Sequence, residues 1–220
     1  PTALTVSGYV SSYYNGEDIS CFGLNDGEIT ANVSGGTSPY SYSINSGSAL
    51  VTNVFSALNA NSYNLTYNDA AGCTTTEVIT LSEPAPLQSV VLGSNNISCW
   101  GYGDGSIDIS ILGGIQNPGS PFYNISWLST TGYTSSSTNL SNIMQDGTYT
   151  ATITDANGCQ APTISQYISE PTALNAIATP QTVSCYGYSD GSVDILITGG
   201  TGIGTYTYNW TGPNSFTSIL

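Results

Sequence analysis

CFGLNDGEI, residues 21–29, returns as CWGYGDGSI at 99–107 and as CYGYSDGSV at 185–193. Each copy carries Asp-Gly, a turn phrase, and runs straight into an alternating apolar and polar stretch: GEITANV, GSIDISI, SVDILIT. Alternation with period two puts every second side chain on one face of a β-strand. The phrase Cys-x-Gly-x-x-Asp-Gly is therefore a loop that opens a strand, used three times in one chain. A second phrase keeps step with it. NDAAGC ends at Cys73 and TDANGC at Cys159, the same interval that separates Cys99 from Cys185. LSEPAPL (81–87) and ISEPTAL (168–174) also match, and PTAL of residues 1–4 repeats at 171–174. Internal repetition of this kind sets the domain organisation: units at 1–83, 84–170 and a shorter 171–220.

Inside a unit the pattern is strands throughout. A Gly-Gly pair closes each opening strand, at 35–36, 113–114 and 199–200. The next strand carries large residues at alternate positions: Tyr40, Tyr42 and Ile44; Tyr123, Ile125 and Trp127; Tyr206, Tyr208 and Trp210. SYNLTYND and TYTATITD alternate in the same way, and each ends in a Gly-containing turn. About seven short strands in 80 to 90 residues, with turns every 8 to 12, predict an all-β fold of tandem immunoglobulin-like β-sandwiches. In that fold Trp127 and Trp210 are core residues of the third strand. Tyr63 and Tyr149, which open the sixth, stand where a tyrosine corner bonds back to the backbone.

Charge narrows the function. The 220 residues hold 14 acidic side chains and no Lys, Arg or His. Nucleic acid is excluded as a partner, because binding it depends on cationic side chains neutralising phosphates. Acid–base catalysis has no His or Lys to use, and the acids recur at turns and do not meet in one cleft, so no enzyme is expected. No run of 18 apolar residues occurs, so no direct membrane insertion is expected. Sixteen Tyr, four Phe and three Trp supply the core that disordered chains lack. Pro1 opens in mid-pattern, and the chain reads as a segment of something longer.

At this point the residues resemble a known family. CFGLNDGEI, the GGTSPYSY run at 35–42, DGTYTATITDANGC at 146–159 and NWTGPNSFTS at 209–218 are similar to the SprB-type repeat of giant Bacteroidetes cell-surface and gliding adhesins. The resemblance implies an exported, extracellular, cell-surface repeat protein whose repeats serve as a stalk or filament. SINSG in unit 1 departs from it, where the family would show a Trp.

Five cysteines, with no CxxC and no His, read as disulfides in an exported chain. Two connectivities stay open. Cys21–Cys73 and Cys99–Cys159 would close bridges within units. Alternatively Cys21 meets Cys159 across the joint of stacked units, Cys99 faces the next unit, and Cys185 pairs beyond Leu220. The same stacking would gather Asp26, Glu83 and Asp155 near one joint, with Asp104 and Glu170 at the next. Carboxylates without cations suit Ca²⁺, so a calcium-stiffened joint is one expectation. Plain Asx turns before Gly are the other. The functional expectation is a stiff spacer whose partners are neighbouring repeats of the same chain, with lateral filament contacts. The alternative is an adhesive module in which exposed Tyr and Asn contact surface glycans.

Overall fold

The structure is a computed structural model that describes residues 2–202, 206–213 and 216–219. Residues 214 and 215 of NWTGPNSFTS lie outside the described residues. Among those described there is no α-helix, and the regular elements are seventeen strands.

The first six strands are β1 (Thr5–Val10), β2 (Gly27–Ser34), β3 (Ser41–Ile44), β4 (Val54–Leu58), β5 (Asn61–Asn68) and β6 (Thr74–Leu81). They form two antiparallel sheets, ordered β1-β2-β4 and β3-β5-β6. The third strand leaves the first sheet for the second, and the fourth returns. This exchange is what makes the sandwich immunoglobulin-like. The alternation read from sequence explains the packing. Along β5, Tyr63, Leu65 and Tyr67 are buried, while of the residues between them Asn64 is exposed and Thr66 half-buried. They close one core with Ile29, Ala31 and Phe55 of the facing sheet and with Ile79 and Leu81 of β6.

The next seven strands repeat the plan: β7 (Gln88–Asn95), β8 (Gly105–Leu112), β9 (Asn124–Ser129), β10 (Thr134–Ser135), β11 (Leu140–Ile143), β12 (Gly147–Thr154) and β13 (Ile164–Ile168). Their sheets run β11-β8-β7 and β10-β9-β12-β13. Trp127 of β9 is fully buried, and its indole N–H donates to the carbonyl of Ser137 at 2.9 Å. Tyr149, the third residue of β12, is buried and donates its hydroxyl to the carbonyl of Gln145 at 2.9 Å. Tyr63 makes the same four-residue reach to the carbonyl of Asn59, also at 2.9 Å.

The last strands are β14 (Asn175–Gln181), β15 (Ser192–Thr198), β16 (Asn209–Thr211) and β17 (Thr217–Ile219), paired as two hairpins, β14-β15 and β16-β17. Trp210 is half-buried here and lines a groove of about 490 Å³ with Val193 and Phe216. Val193 remains 48% exposed where Ile29 and Ile107 are fully buried.

By compactness the chain divides into two units. One holds Pro1–Val90, Ser110–Ser126 and Ala151–Ile164; the other holds Val91–Ile109, Trp127–Thr150 and Ser165–Leu220. The linker after β6 and the turn carrying Cys159 thus belong to the first unit, and the loop of Cys99 with the following linker belongs to the second.

Candidate functional site: the joint between repeats

The joint is built from three recurring pieces, and the first is the cysteine loop. Cys21 sits at the head of a tight turn in which the N–H of Leu24 donates to its carbonyl at 3.1 Å. Asp26 then folds back. Its carboxylate accepts the N–H of Ser20 at 3.1 Å and the Ser20 hydroxyl. Asp104 and Asp190 repeat this on the N–H groups of Ser98 and Ser184, at 2.9 and 3.0 Å. Those hydrogen bonds, from the serine side chain first and then its backbone, hold Asp104 and Asp190 below the ordinary carboxylate range.

The second piece is the Asp-x-x-Gly-Cys turn. Asp155 is buried, and its two oxygens accept three backbone N–H groups, from Ile115 at 2.8 Å and from Asn157 and Cys159 at 2.9 Å. Asp69 does the same for Thr37, Ala71 and Cys73. The Cys73 N–H is the main reason that the Asp69 carboxyl is held low, with Thr37 and Ala71 adding to it. A carboxylate in a chain without cations is thus stabilised by peptide dipoles.

The third piece is the linker. On its trailing side, Glu83 accepts the N–H of Gly23 at 2.6 Å, and Asp18 accepts the N–H and hydroxyl of Ser82 at 2.8 and 2.9 Å. On its leading side the Gly-Gly pair grips the chain. Gly114 donates its N–H to the carbonyl of Ala85 at 2.8 Å, and Gly113 lies so close to the Pro86 carbonyl that a Cβ would collide with it. Both glycines have positive φ, 76° and 60°, which only glycine adopts without strain. Gly36 to Thr2 and Gly200 to Thr172 are the equivalent grips. A tyrosine fastens each pair from the other side: Tyr40, Tyr123 and Tyr206 donate to the carbonyls of Gly35, Gly113 and Gly199. Sequence alternation marks these tyrosines only as large residues on one face of a strand. The signal it passed over was a Tyr soon after each Gly-Gly pair.

At the first joint the pieces meet. Cys21 and Cys159 are joined by a disulfide, with Cα atoms 5.7 Å apart and 138 residues between them in sequence. Asn157 reinforces it, donating from Nδ2 to the carbonyls of Ser20 at 2.9 Å and Tyr14 at 3.4 Å, and accepting from Asn15 Nδ2 at 2.6 Å. Phe22, Leu24, Pro86 and Leu87 line a cleft of about 390 Å³ beside the bridge.

The within-repeat pairings are corrected here. Cys73 lies at the β5–β6 turn, next to Thr74, whereas Asp18 ties the Cys21 loop to Ser82, past the far end of β6. The eight residues of β6 separate those ends, roughly 27 Å at 3.4 Å per residue, far beyond disulfide reach. Cys99–Cys159 is absent because Cys159 already bonds Cys21. Cys73, Cys99 and Cys185 are free and exposed.

The acids expected to hold Ca²⁺ are used otherwise. Asp26, Glu83 and Asp155 each accept backbone N–H groups, Asp104 accepts that of Ser98, and Glu170 that of Gly101 at 2.5 Å. Among the described residues no three of His, Cys, Asp or Glu gather as a set that could hold a metal ion.

Fold and joint together define the class: an all-β array of immunoglobulin-like repeats with a covalent joint. Two segments, residues 14–49 and 177–215, match the SprB repeat. Each matched segment spans a cysteine loop and the Gly-Gly strand end that follows. No curated protein matches the chain. Among solved structures it is similar to the fibronectin(III)-like modules of Clostridium thermocellum CbhA, at 12% identity over 74% of this chain and 94% of that one, TM-score 0.33. It is also similar to extracellular domains 3–5 of Drosophila OTK, at 11% over 74% and 60%, TM-score 0.27. A third similarity is to Dpr2 Ig1-Ig2 in complex with DIP-Theta Ig1-Ig3, at 10% over 96% and 87%, TM-score 0.31.

Proposed function

We propose that this chain is a stiff spacer within a long exported cell-surface adhesin or filament, built from repeats 1–83, 84–170 and 171–220. The observation that carries the reading is the Cys21–Cys159 staple across a linker already gripped on both sides. A linker so held has little freedom left to bend, and its prolines remove more. A structural disulfide belongs to oxidising compartments, which supports an extracellular location. The absence of Lys and Arg leaves trypsin-like proteases nothing to cut, a useful property outside the cell. Digestion of the reduced, unfolded chain with trypsin should leave it intact.

The test of stiffness uses spin labels at the exposed residues Thr52 and Thr163, one in each of the first two repeats. A single narrow distance distribution in the oxidised chain, broadened in Cys21→Ser, is the expected result. A broad distribution in both would sink the spacer reading.

A second reading, glycan adhesion, rests on the exposed aromatics of the recurring loops: Phe22, Trp100, Tyr102, Tyr186 and Tyr188. Such rings can stack on sugar faces. Retention on a glycan array, lost in Trp100→Ala, would favour it; no retention on any glycan favours the spacer.

A further inference from the structure

Asparagine is a labile residue, and most labile before glycine, whose unhindered backbone nitrogen can reach the side-chain carbonyl. The chain holds two such pairs, Asn15-Gly16 and Asn157-Gly158. The joint sets them against each other, with Asn15 Nδ2 donating to Asn157 Oδ1 at 2.6 Å. We propose that Asn15 is a site of spontaneous deamidation, and that the carboxylate it leaves undoes the Asn157 clamp beside the Cys21–Cys159 bridge. The inference concerns the joint itself and stands whether the array serves as a spacer or binds glycans.

The two glycine nitrogens are not equally free. Tyr14 and Glu17 exchange backbone hydrogen bonds at 2.8 and 3.1 Å around a two-residue turn, with Asn15 at φ 51° and Gly16 at φ 104°. Positive φ at both positions is what an Asn-Gly hairpin turn requires. Both residues are exposed, and nothing stands within 4 Å of where a Cβ on Gly16 would be. Among the described residues the Gly16 N–H has no acceptor. Gly158 differs at its nitrogen. Its N–H donates to the Asp155 carbonyl at 3.1 Å, inside a turn that the buried Asp155 carboxylate also ties through Asn157 and Cys159. The attacking nitrogen is therefore open at Asn15 and engaged at Asn157.

The consequence follows from the orientation of the Asn157 amide. The carbonyls of Ser20 at 2.9 Å and Tyr14 at 3.4 Å can only accept, so Nδ2 faces them and Oδ1 faces residue 15. Asn15 answers with a donor, and a carboxylate in its place has none. Either two oxygens then oppose each other, or the Asn157 amide turns over and releases Ser20. The new charge also arrives beside Glu17 and Asp18, in a chain with no Lys, Arg or His to neutralise it. The other loops and turns lack both partners. GSNNISC leads to Cys99 and QTVSC to Cys185 without an Asn-Gly, and Ala71 stands at the place of Asn157.

The chemistry needs only water. The Gly16 nitrogen attacks Asn15 Cγ, a C–N bond forms, and Nδ2 leaves as ammonia with the proton lost from the Gly16 nitrogen. The product is a cyclic imide. Water then adds to one of its two carbonyls. Opening at Cγ gives aspartate, and opening at the backbone carbonyl gives isoaspartate. The net change is one water consumed and one ammonia released.

The test incubates the oxidised 220-residue chain in warm neutral buffer, beside the reduced chain unfolded in urea. Peptic peptides are read by mass spectrometry for replacement of NH₂ by OH. Expected in the oxidised chain is conversion at Asn15 about tenfold or more faster than at Asn157, a lead that vanishes in the unfolded chain. The second readout is the rate at which dithiothreitol reduces the Cys21–Cys159 bridge. Asp-Gly suits the same turn, so Asn15→Asp folds, and its bridge should be reduced about fivefold faster than the parent's, the worth of one lost hydrogen bond. Asn64→Asp, which adds the same charge on the exposed face of β5, should leave that rate unchanged. Equal conversion of the two asparagines in the oxidised chain, faster loss at Asn157, or no conversion at Asn15 would overturn the site. A parental reduction rate in Asn15→Asp, or an equal acceleration in Asn64→Asp, would overturn its effect on the joint.

Discussion

The loop of Cys21 and the loop of Cys99 are built alike, yet the first is stapled and the second is free. Both close the same turn: Leu24 N–H to Cys21, Tyr102 N–H to Cys99. Both are pinned by an aspartate at Ser20 or Ser98, and both offer a glycine N–H to a linker glutamate, Gly23 to Glu83 and Gly101 to Glu170. The local fold is thus complete without the bridge. Seven residues of sequence make the loop; the partner turn decides whether it is bonded. The disulfide is a property of the joint, laid over loops that fold without it.

The comparison breaks most sharply if the staple is removed. Cys159→Ser opens a cross-link spanning 138 residues, for which chain entropy gives up to roughly 5 kcal/mol. Cys99→Ser, on an exposed thiol, should change stability by less than about 0.5 kcal/mol. Urea unfolding of the two variants beside the oxidised parent checks both. Equal losses would mean that Cys99 is bonded after all.

Asp155→Ala comes next. It strips three backbone N–H groups of their buried acceptor, at a cost of about 1–3 kcal/mol. Asn157→Ala, which removes the clamp on Ser20 while sparing the bridge, should cost about 1 kcal/mol. The same urea titration reads each.

The pH profile is a smaller effect and sharpens the part played by the carboxylates. With no His or Lys to titrate, thermal stability should be level from about pH 5 to pH 8. Asp69, Asp104 and Asp190 have folded values below 3.8, so their contribution is whole above that value and is lost as pH falls beneath it. Burial, then the Glu77 carboxylate, push the Tyr67 phenol above its ordinary value of 10.0. Burial, then Tyr133 and Asp146, do the same for Tyr149. The unfolded chain ionises these tyrosines first, so stability should decline above pH 10. A loss centred near neutral pH would contradict this. The smallest expected change is in the presence of Ca²⁺ or chelator, where melting should not move.

Much of the fold was legible because a strand writes its own faces. Tyr63, Leu65 and Tyr67 alternate with polar residues, and a sandwich needs that alternation. The repeat phrases made the tandem plan readable as well. The joint was harder to read. Cys21 has two candidate partners in the sequence, and the choice turns on which end of an eight-residue strand each cysteine occupies. That is a matter of topology, which local pattern does not carry. The acids misled for a related reason. Fourteen carboxylates without a cation suggest a metal, but backbone N–H groups, invisible in a sequence, satisfy those at the joint. The Tyr-to-Gly-Gly fastening was missed because a tyrosine in an alternating strand already had an explanation.

The most direct test of the covalent joint is to pull single chains from their two ends, oxidised and then reduced. The staple shields 138 residues from the load, so full extension of the oxidised chain should fall short of the reduced one by roughly 450–500 Å. Equal lengths in the two states would mean that no bond crosses the joint, and the account of a stapled, stiff array would fail with it.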